Sequence, residues 1–362
     1  MPLYMTDDGK MPVTTQSMIK AFRQCPREAY YKYHLRLSPK LASVPLTRGK
    51  WIHSVLEAHY LGEDWKPVHA HLSNQYSKLM DEEKEKLGDL PREIELLMAS
   101  YFWHYGDPAV QGNDWTVHEV ERLIEAKMPN GHLFRGKVDM IIENEFGLWI
   151  VDHKTHKKLP RWEYRMLDEQ STLYTWAARE NDIPVQGFIW NYITTSGFPK
   201  YPVLKSGKSF YAKALTAESS YVAFTRAIKK AQAEYGDVFL SEKKDKDVVK
   251  ARLAELKRDR WQGPDVLPTS PYFRRDVLEK SQDMIDRVLK SVMRTSDTMH
   301  SYDFTDPDCV ERDVKSCEGF FCNFKDLSMA DLVTGDSTLL QRRNYKSQDP
   351  LAYHAGNDEL KG

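Results

Sequence analysis

In the first part of the chain, apolar residues recur at helical spacing, and near residue 115 this changes to the alternation of strands. Thr14 or Thr15 can cap a first helix that continues through Tyr33, although Pro26 predicts a break or kink within it. A second helix follows Gly49, and a mainly helical pattern continues to about residue 105. The N-terminal part is therefore predicted to be mainly helical.

The middle of the chain is predicted to form strands. Residues 115–126 (W-T-V-H-E-V-E-R-L-I-E-A) alternate, P-N-G-H forms a hairpin turn, and residues 133–143 form a second strand. A turn at 145–147 leads into L-W-I-V-D-H-K, an apolar run whose charged end should emerge from the sheet at a polar site. After a helix over about 163–181, residues 187–194 predict a fourth strand, which a crossover makes parallel to a neighbour.

After residue 200 the pattern is weaker. Residues 200–235 have no clear period, and residues 241–260 predict a charged amphipathic helix. Residues 276–293 carry Val277 and other apolar residues at a helical spacing that is typical of core packing. The last stretch, about 25 residues, is rich in polar side chains and predicts a mobile tail. The order of elements predicts an α/β protein.

The composition is that of an ordinary globular protein. Of 362 residues, 41% are hydrophobic and 29% are charged, which is enough for one large core or two modest ones. No apolar run approaches the roughly 18 residues of a membrane span, and the N-terminal residues lack the order of a signal peptide. We therefore expect a cytoplasmic protein with no membrane partner.

The formal net charge is -1, so any binding of nucleic acid must depend on local patches. Basic and aromatic residues are interleaved in two segments, 20–32 and 154–165. This composition suits a strand that is held by its phosphates and its stacked bases. The alternative for either segment is a solvated helix face.

Two carboxylates and a lysine are expected at the ends of adjacent strands. Asp152 lies thirteen residues after Asp139 and ends the third strand together with Lys154, as V-D-H-K-T. Side chains alternate along a strand, so positions 152 and 154 share a face, and antiparallel pairing can bring Asp139 alongside. The alternative is an exposed ion pair within D-x-K.

This arrangement suits the hydrolysis of a phosphodiester. Adjacent carboxylates repel each other unless a divalent cation lies between them, and hard oxygen ligands favour Mg²⁺ or Mn²⁺. The cation would make a water molecule more acidic and draw charge from the phosphate. Lys154 would orient that water or stabilise the developing negative charge.

The acidic pair is part of a longer series of motifs. Their order is G-x-x-x-H, G-x-x-D, D-x-K and Q-x-x-x-Y, carried by Gly49, His53, Gly136, Asp139, Asp152, Lys154, Gln170 and Tyr174. From about Gly49 to Tyr174 the chain thereby resembles the RecB-like exonucleases of the PD-(D/E)XK superfamily. These include the nuclease domains of bacterial helicase-nucleases, the CRISPR-associated RecB-like exonucleases and exonuclease V. The resemblance implies a restriction-endonuclease-like α/β fold, in which helices flank a mixed central sheet.

The resemblance also implies roles for individual residues. The metal ligands would be His53, Asp139, Asp152 and the main-chain carbonyl of His153. Lys154 would be the catalytic lysine, and Gln170 and Tyr174 would orient the lysine and the substrate. Glu121 fits an acidic position on the first strand but is left outside the metal set. The candidate DNA contacts are Arg48, Lys157, Lys158 and Arg161, with His156 and Trp162 as weaker candidates.

The implied activity is that of a metal-dependent DNA exonuclease that prefers single-stranded DNA and serves end processing, recombination or repair. The sequence has no P-loop, so a helicase or recombination protein would be a separate partner. One alternative is a catalytically silent subunit for DNA-end binding or assembly. Another is an RNA-specific or structure-specific nuclease.

The cysteines are Cys25, Cys309, Cys317 and Cys322, and a reducing interior disfavours disulfides between them. The resemblance implies that these four residues hold a structural [4Fe-4S] cluster, with one cysteine before the nuclease core and three after it. The late spacing, C-x7-C-x4-C, departs from the close pair that relatives commonly have, and Cys309 is the least secure ligand. Zinc, or cysteines without a ligand, are alternatives.

These expectations divide the chain into six segments. They are an N-terminal segment with the first cysteine (1–48), a helical region with the motif histidine (49–114), the nuclease core (115–199), a mainly helical insertion (200–300), a cysteine-rich segment for the iron-sulfur cluster (301–335) and a flexible tail (336–362).

Overall fold

The computed structural model describes residues 3–41, 43–106, 115–195, 204–205, 209–210, 219–260, 270–318 and 322–352. The strands in these ranges are β1 (Val13–Thr14), β2 (Leu37–Pro39), β3 (Thr116–Lys127), β4 (Leu133–Asn144), β5 (Gly147–His156), β6 (Gly187–Thr194), β7 (Leu204–Lys205), β8 (Ser209–Phe210), β9 (Phe273–Glu279) and β10 (Tyr345–Ser347). The helices are α1 (Gln16–Gln24), α2 (Pro26–Ala29), α3 (Val44–Tyr60), α4 (Trp65–Ser77), α5 (Asp81–Leu87), α6 (Leu90–Tyr105), α7 (Trp162–Leu167), α8 (Glu169–Arg179), α9 (Tyr221–Tyr235), α10 (Lys243–Arg258), α11 (Gln282–Ser301), α12 (Val314–Glu318), α13 (Lys325–Thr334) and α14 (Thr338–Asn344). A π-helical turn spans Tyr30–His34, and 3-10 turns span Gly236–Val238 and Pro307–Cys309.

Six of the described strands form one mixed sheet. Its order is β1-β4-β5-β6-β9, and β3 also pairs with β4. Strands β3, β4 and β5 are successively antiparallel, β5 and β6 are parallel, and β9 is antiparallel to β6. The predicted α/β class, with a mixed central sheet flanked by helices, is confirmed.

The sheet separates two apolar layers. On one face, α1, α8 and α11 pack over residues such as Phe134 and Phe188. On the other face, α3 and α6 pack over residues such as Met140 and Val151. Strand β6 (G-F-I-W-N-Y-I-T) is buried along its whole length because both layers cover it. It is parallel to β5 and reached through α8, as the sequence predicts.

Local sequence signals set the ends of several helices. Thr15 caps α1, and the chain becomes extended at Cys25 before Pro26 begins α2, so the predicted break is confirmed. The single helix predicted over 163–181 is instead two helices, α7 and α8. The reason is Asp168, which is extended and caps α8 through its side chain.

The prediction of one helix over 276–293 is wrong at its start. Strand β9 occupies residues up to Glu279, and α11 follows it. The strand buries Phe273 and Leu278 while Val277 is exposed, so its pattern (F-R-R-D-V-L-E) has too few apolar positions to distinguish a strand from a helix. The predicted insertion therefore contributes a strand to the central sheet in addition to α9 and α10. Parts of it, such as 261–269, lie outside the described residues.

The flexible tail predicted over 336–362 is wrong for its described part. Helix α14 is followed by β10, which pairs antiparallel with β2. Tyr345 is buried and its hydroxyl donates to the carbonyl oxygen of Asn323 at 2.7 Å, and Leu351 is also buried. These few buried residues are surrounded by polar residues in the sequence, so composition alone does not indicate that this segment packs against the rest of the protein. Residues 353–362 lie outside the described residues.

None of the helices in the described ranges has both the length and the apolar character that crossing a membrane requires. The longest of them, α11, has 20 residues and carries charged side chains along much of its length.

Candidate active site

The candidate site lies where two antiparallel strands separate. The ladder between β4 and β5 ends at Met140 and Val151, and the start of β4 pairs instead with β1. Beyond the last pair, the N–H of His153 donates to Oδ2 of Asp139 at 2.7 Å. Asp139 directly precedes Met140 and Asp152 directly follows Val151, so both lie at the opening between the strands.

Three ligand groups from three elements converge at this opening. His53 lies on α3, Glu121 on β3 and Asp139 on β4, and one ligand atom from each lies within 4.8 Å of the other two. Nδ1 of His53 is 3.4 Å from Oδ1 of Asp139. One imidazole and two carboxylates are a suitable donor set for Mg²⁺ or Mn²⁺, so the residues present fit a divalent cation.

Glu121 belongs to this group, although it lies outside the metal set that the sequence predicts. The register of β3 and β4, in which Arg122 pairs with Val138, places Glu121 opposite Asp139. Its φ is 55°, which is uncommon for a residue other than glycine, and Nζ of Lys137 is 2.5 Å from its Oε2. Counting outward from the P-N-G-H turn sets the same register, so the sequence contained a signal for Glu121.

The carboxylate of Asp152 has different partners. Its Oδ1 accepts a hydrogen bond from Nε2 of Gln170 at 2.7 Å, and its Oδ2 is 2.7 Å from Nζ of Lys154. The structure thus brings Asp152, Lys154 and Gln170 together. The group of His53, Glu121 and Asp139 found among the described residues does not include Asp152.

Burial and neighbouring charges shift the pKa values at the site. Burial lowers the pKa of His53, but Asp139 outweighs this effect and raises the pKa to about 9. Burial would raise the pKa of Asp139, whereas His53 holds it below its usual range. Burial dominates at Asp152 and Glu121 and raises both pKa values. Burial also opposes the charge on Lys154, yet the carboxylates beside it keep its pKa above the ordinary value.

Gly136 and Tyr174 explain two further motif positions. A Cβ added to Gly136 would lie 2.6 Å from Cε1 of Tyr174, so the ring can pack against β4 only because this residue is glycine. The hydroxyl of Tyr174 is hydrogen-bonded to the backbone of Lys137, and the side chain is buried. Tyr174 therefore supports the strand that carries Asp139.

The imidazole of His153 belongs to a buried network on the face of the sheet opposite Asp152. Its Nδ1 is 2.7 Å from Nδ2 of Asn191, which also donates to the hydroxyl of Tyr101 at 2.6 Å. Its ring stacks on the ring of Tyr60, with 5.6 Å between the ring centres. Burial lowers the pKa of His153 to about 3. The members of this network are far apart in the chain, so no local sequence pattern indicates it. The main-chain carbonyl of His153 stays a predicted ligand.

The candidate DNA contacts differ in exposure. Arg48 is mostly buried, and its Nη2 is 3.4 Å from Oε2 of Glu93. Lys157, Lys158 and Arg161 are exposed in the segment between β5 and α7. These three residues, unlike Arg48, are open to a large ligand.

The cysteines do not form one compact ligand group. Cys25 is buried and its Sγ accepts a hydrogen bond from the N–H of Asp313 at 3.4 Å. Cys317 and Cys322 are hydrogen-bonded to each other, and the exposed Cys309 donates its thiol to a carboxylate at 3.1 Å. Within the part of the chain that the structure describes, no three of these sulfur atoms lie within 4.8 Å of one another. The predicted iron-sulfur cluster gains no support from this arrangement.

Comparisons with known proteins give one strong result. A family model described as the PD-(D/E)XK nuclease superfamily matches residues 14–326, a range that includes all the residues of the candidate site. No curated protein gives a match. Solved structures that match include one titled "Crystal structure of SSO0001", which is 18% identical, with 51% of this chain and 75% of that chain covered and a TM-score of 0.19.

Proposed function

The chain belongs to the PD-(D/E)XK nuclease superfamily, and from this membership together with the resemblance to the RecB-like exonucleases we propose that it is a metal-dependent DNA exonuclease with a preference for single-stranded DNA. The membership itself implies a phosphodiester hydrolase that acts on nucleic acid. The observation that carries the proposal is the convergence of His53, Glu121 and Asp139 beside the ion pair of Asp152 and Lys154. A cation site and a lysine are thereby available at one opening of the sheet.

The side chains have distinct parts in the proposed reaction. The three converging residues would hold a divalent cation, which when bound draws charge from the scissile phosphate and makes water a stronger acid. Lys154 is protonated, because the nearby carboxylates raise its pKa, and it would stabilise the negative charge that develops on the phosphate. Gln170 holds the carboxylate of Asp152 through its hydrogen bond. Asp152 and the main-chain carbonyl of His153 are the further ligands that the resemblance implies.

The finer parts of the proposal rest on the resemblance to the RecB-like exonucleases. These parts are exonuclease action, single-strand preference, a role in end processing, recombination or repair, and a separate helicase or recombination partner. The rival is a catalytically silent DNA-end-binding subunit. The presence of His53, Asp139, Asp152 and Lys154 together favours the enzyme, since a silent copy would be expected to lose at least one of them.

Degradation of labelled substrates tests the proposal. Single-stranded DNA, duplex DNA and RNA are each incubated with Mg²⁺ or Mn²⁺, and single-stranded DNA is expected to shorten progressively from an end. Lys154→Met and Asp139→Asn should each slow cleavage by roughly 100-fold or more, because each removes a charge that acts at the reacting phosphate. Lys346→Met, which changes an exposed lysine on β10, is the matched control.

Each alternative has its own outcome in this assay. Wild-type rates in both site variants would refute the site. Binding of DNA by the wild-type protein without any cleavage would favour the silent subunit. Preferential degradation of RNA, or of one DNA structure, would show that the protein is an RNA-specific or structure-specific nuclease and not a single-strand DNA exonuclease.

A structural [4Fe-4S] cluster held by Cys25, Cys309, Cys317 and Cys322 is a separate proposal, and the resemblance alone is its basis. Anaerobically purified protein should be brown and contain about four irons per chain. A colourless or zinc-loaded preparation would overturn the cluster.

A further inference from the structure

Helix α7 exposes its apolar side chains and buries its arginine. Trp162, Tyr164 and Leu167 are 49%, 67% and 76% exposed, whereas Arg165 is 4% exposed and is the buried residue of this helix. A surface helix ordinarily packs its apolar residues against the core and leaves its charges in water. In α7 the apolar side chains are exposed and the arginine is buried, and this reversal indicates a surface that binds a ligand.

Arg165 holds α7 in this orientation. Its guanidinium forms an ion pair with Asp276 on β9, and its Nε donates to the carbonyl oxygen of Pro160 at 3.1 Å. The guanidinium also lies 5.3 Å from the centre of the Tyr192 ring. Arg274 pairs with the same aspartate at 3.1 Å. A buried ion pair thus anchors the helix to the sheet. The guanidinium of Arg165 also lies over one side of the Trp162 ring, 6.0 Å from its centre, while the exposed parts of Trp162 and Tyr164 stay available to a ligand.

The position of α7 associates it with the candidate active site. It lies between the end of β5, which carries Lys154, and the start of α8, which carries Gln170. Asp168 joins the two helices and accepts a hydrogen bond from the N–H of Gln170 at 2.8 Å. A nucleic-acid chain bound at Asp152 and Lys154 would therefore extend next to α7.

The charge beside α7 identifies the class of ligand. Lys157, Lys158 and Arg161 are exposed immediately before the helix. Cations next to exposed aromatic rings match a ligand with both phosphates and flat bases, because phosphates pair with the cations and bases stack on the rings. The bases of a duplex are stacked inside it and do not offer their faces to a protein surface. A single-stranded nucleic acid offers both its phosphates and the faces of its bases.

We propose that Trp162 and Tyr164 form a base-stacking platform for single-stranded nucleic acid, with the phosphates bound by Lys157, Lys158 and Arg161. This inference rests on the proposed nuclease function, since the platform would receive the substrate of the same site. It adds the side chains that distinguish a single strand from a duplex.

Two oligonucleotides of equal length separate stacking from charge. Oligothymidine and an abasic oligonucleotide carry the same phosphates, but only the former has bases. Fluorescence anisotropy with EDTA present measures binding without cleavage. Trp162→Ala/Tyr164→Ala should bind oligothymidine roughly 10-fold or more weakly than the wild type and should bind the abasic oligonucleotide equally well. Trp162→Phe/Tyr164→Phe should keep most of the affinity, and Leu167→Ala on the same helix should bind both oligonucleotides as the wild type does.

Several outcomes would overturn the platform. One is that the double alanine variant binds oligothymidine as tightly as the wild type. The others are that the variant loses equal affinity for oligothymidine and the abasic oligonucleotide, or equal affinity for oligothymidine and duplex DNA. Unchanged binding is also the result expected if α7 serves a partner protein. Because affinity is measured without cleavage, the platform can fail while the wild-type protein still degrades DNA. The nuclease proposal can equally fail while stacking is observed.

Discussion

Glu121 is half-buried and Asp152 is buried at the same opening of the sheet, yet the two carboxylates have different partners. Glu121 shares a compact group with His53 and Asp139, whereas Asp152 is paired with Lys154. Glu121 and Asp139 are so close that their carboxylates resist ionising together, and a bound cation relieves the repulsion most for the carboxylates that touch it. The two residues should therefore contribute unequally to metal affinity.

At the residue scale, we expect Glu121→Gln to weaken Mn²⁺ binding by roughly 10-fold or more, because it removes a charged oxygen ligand from the group. Asp152→Asn should weaken binding less. Titration calorimetry with Mn²⁺ measures both affinities, and Glu119→Gln, which changes a surface ion pair on the same strand, is the control. Equal affinities of Glu121→Gln and the wild type would exclude Glu121 as a ligand.

At the scale of elements, β6 and β9 approach each other closely at Gly187. A Cβ added there would lie 2.1 Å from the carbonyl oxygen of Leu278. Gly187 pairs with Glu279 on one side and with Trp149 on the other. A shift of the backbone at Gly187 would therefore also shift β5, the strand that carries Asp152.

Gly187→Ala should lower the free energy of unfolding by about 1–3 kcal/mol or more, because backbone atoms of two paired strands would have to move apart. Urea unfolding measures the change. Gly49→Ala is the matched control: its Cβ would be 3.5 Å from Oγ1 of Thr155, an ordinary contact, and alanine favours the helix. If Gly187→Ala were as stable as the wild type, the close approach of β9 to β6 would not constrain the sheet.

At the scale of the whole molecule, each apolar layer contains a buried histidine outside the candidate site. His104 lies in the layer of α6, and burial lowers its pKa to about 3. His300 lies in the layer of α11, where its Nε2 is 3.1 Å from Oγ1 of Thr14, and burial lowers its pKa to about 4. Both residues are therefore neutral in the folded protein at neutral pH.

Acid should destabilise the protein through these histidines. The unfolded chain protonates them below a pH of about 6.5, whereas the folded protein does so only near their lowered pKa values. Their contribution is complete above pH 6.5 and is lost as the pH falls toward 4, by up to about 1.4 kcal/mol per pH unit for each residue.

Urea unfolding between pH 7 and pH 4.5 tests this dependence. His104→Phe should reduce the dependence on pH, although the loss of the hydrogen bond between His104 and the backbone of Asp259 should cost about 1 kcal/mol at neutral pH. His71→Phe changes an exposed histidine and should leave the dependence as it is. A wild-type slope in His104→Phe would show that another group causes the loss of stability in acid.

The sequence by itself determined the α/β class, the order from β3 to β6 and the shared face of Asp152 and Lys154. These features follow from local rules, namely the alternation of side chains along a strand, the period of a helix and the chemistry of turns. The break before Pro26 is local in the same way. Such features need no knowledge of distant residues.

Only the tertiary structure decided that His53 joins Glu121 and Asp139, that β9 completes the edge of the sheet and that β10 docks on β2. It also decided that α7 exposes its aromatic rings, because the anchor of Arg165 is an aspartate on a strand far along the chain. Strand edges, buried ion pairs and metal groups are formed by residues distant in sequence, and packing brings them together. The local periodicity of the sequence does not indicate which distant residues come into contact.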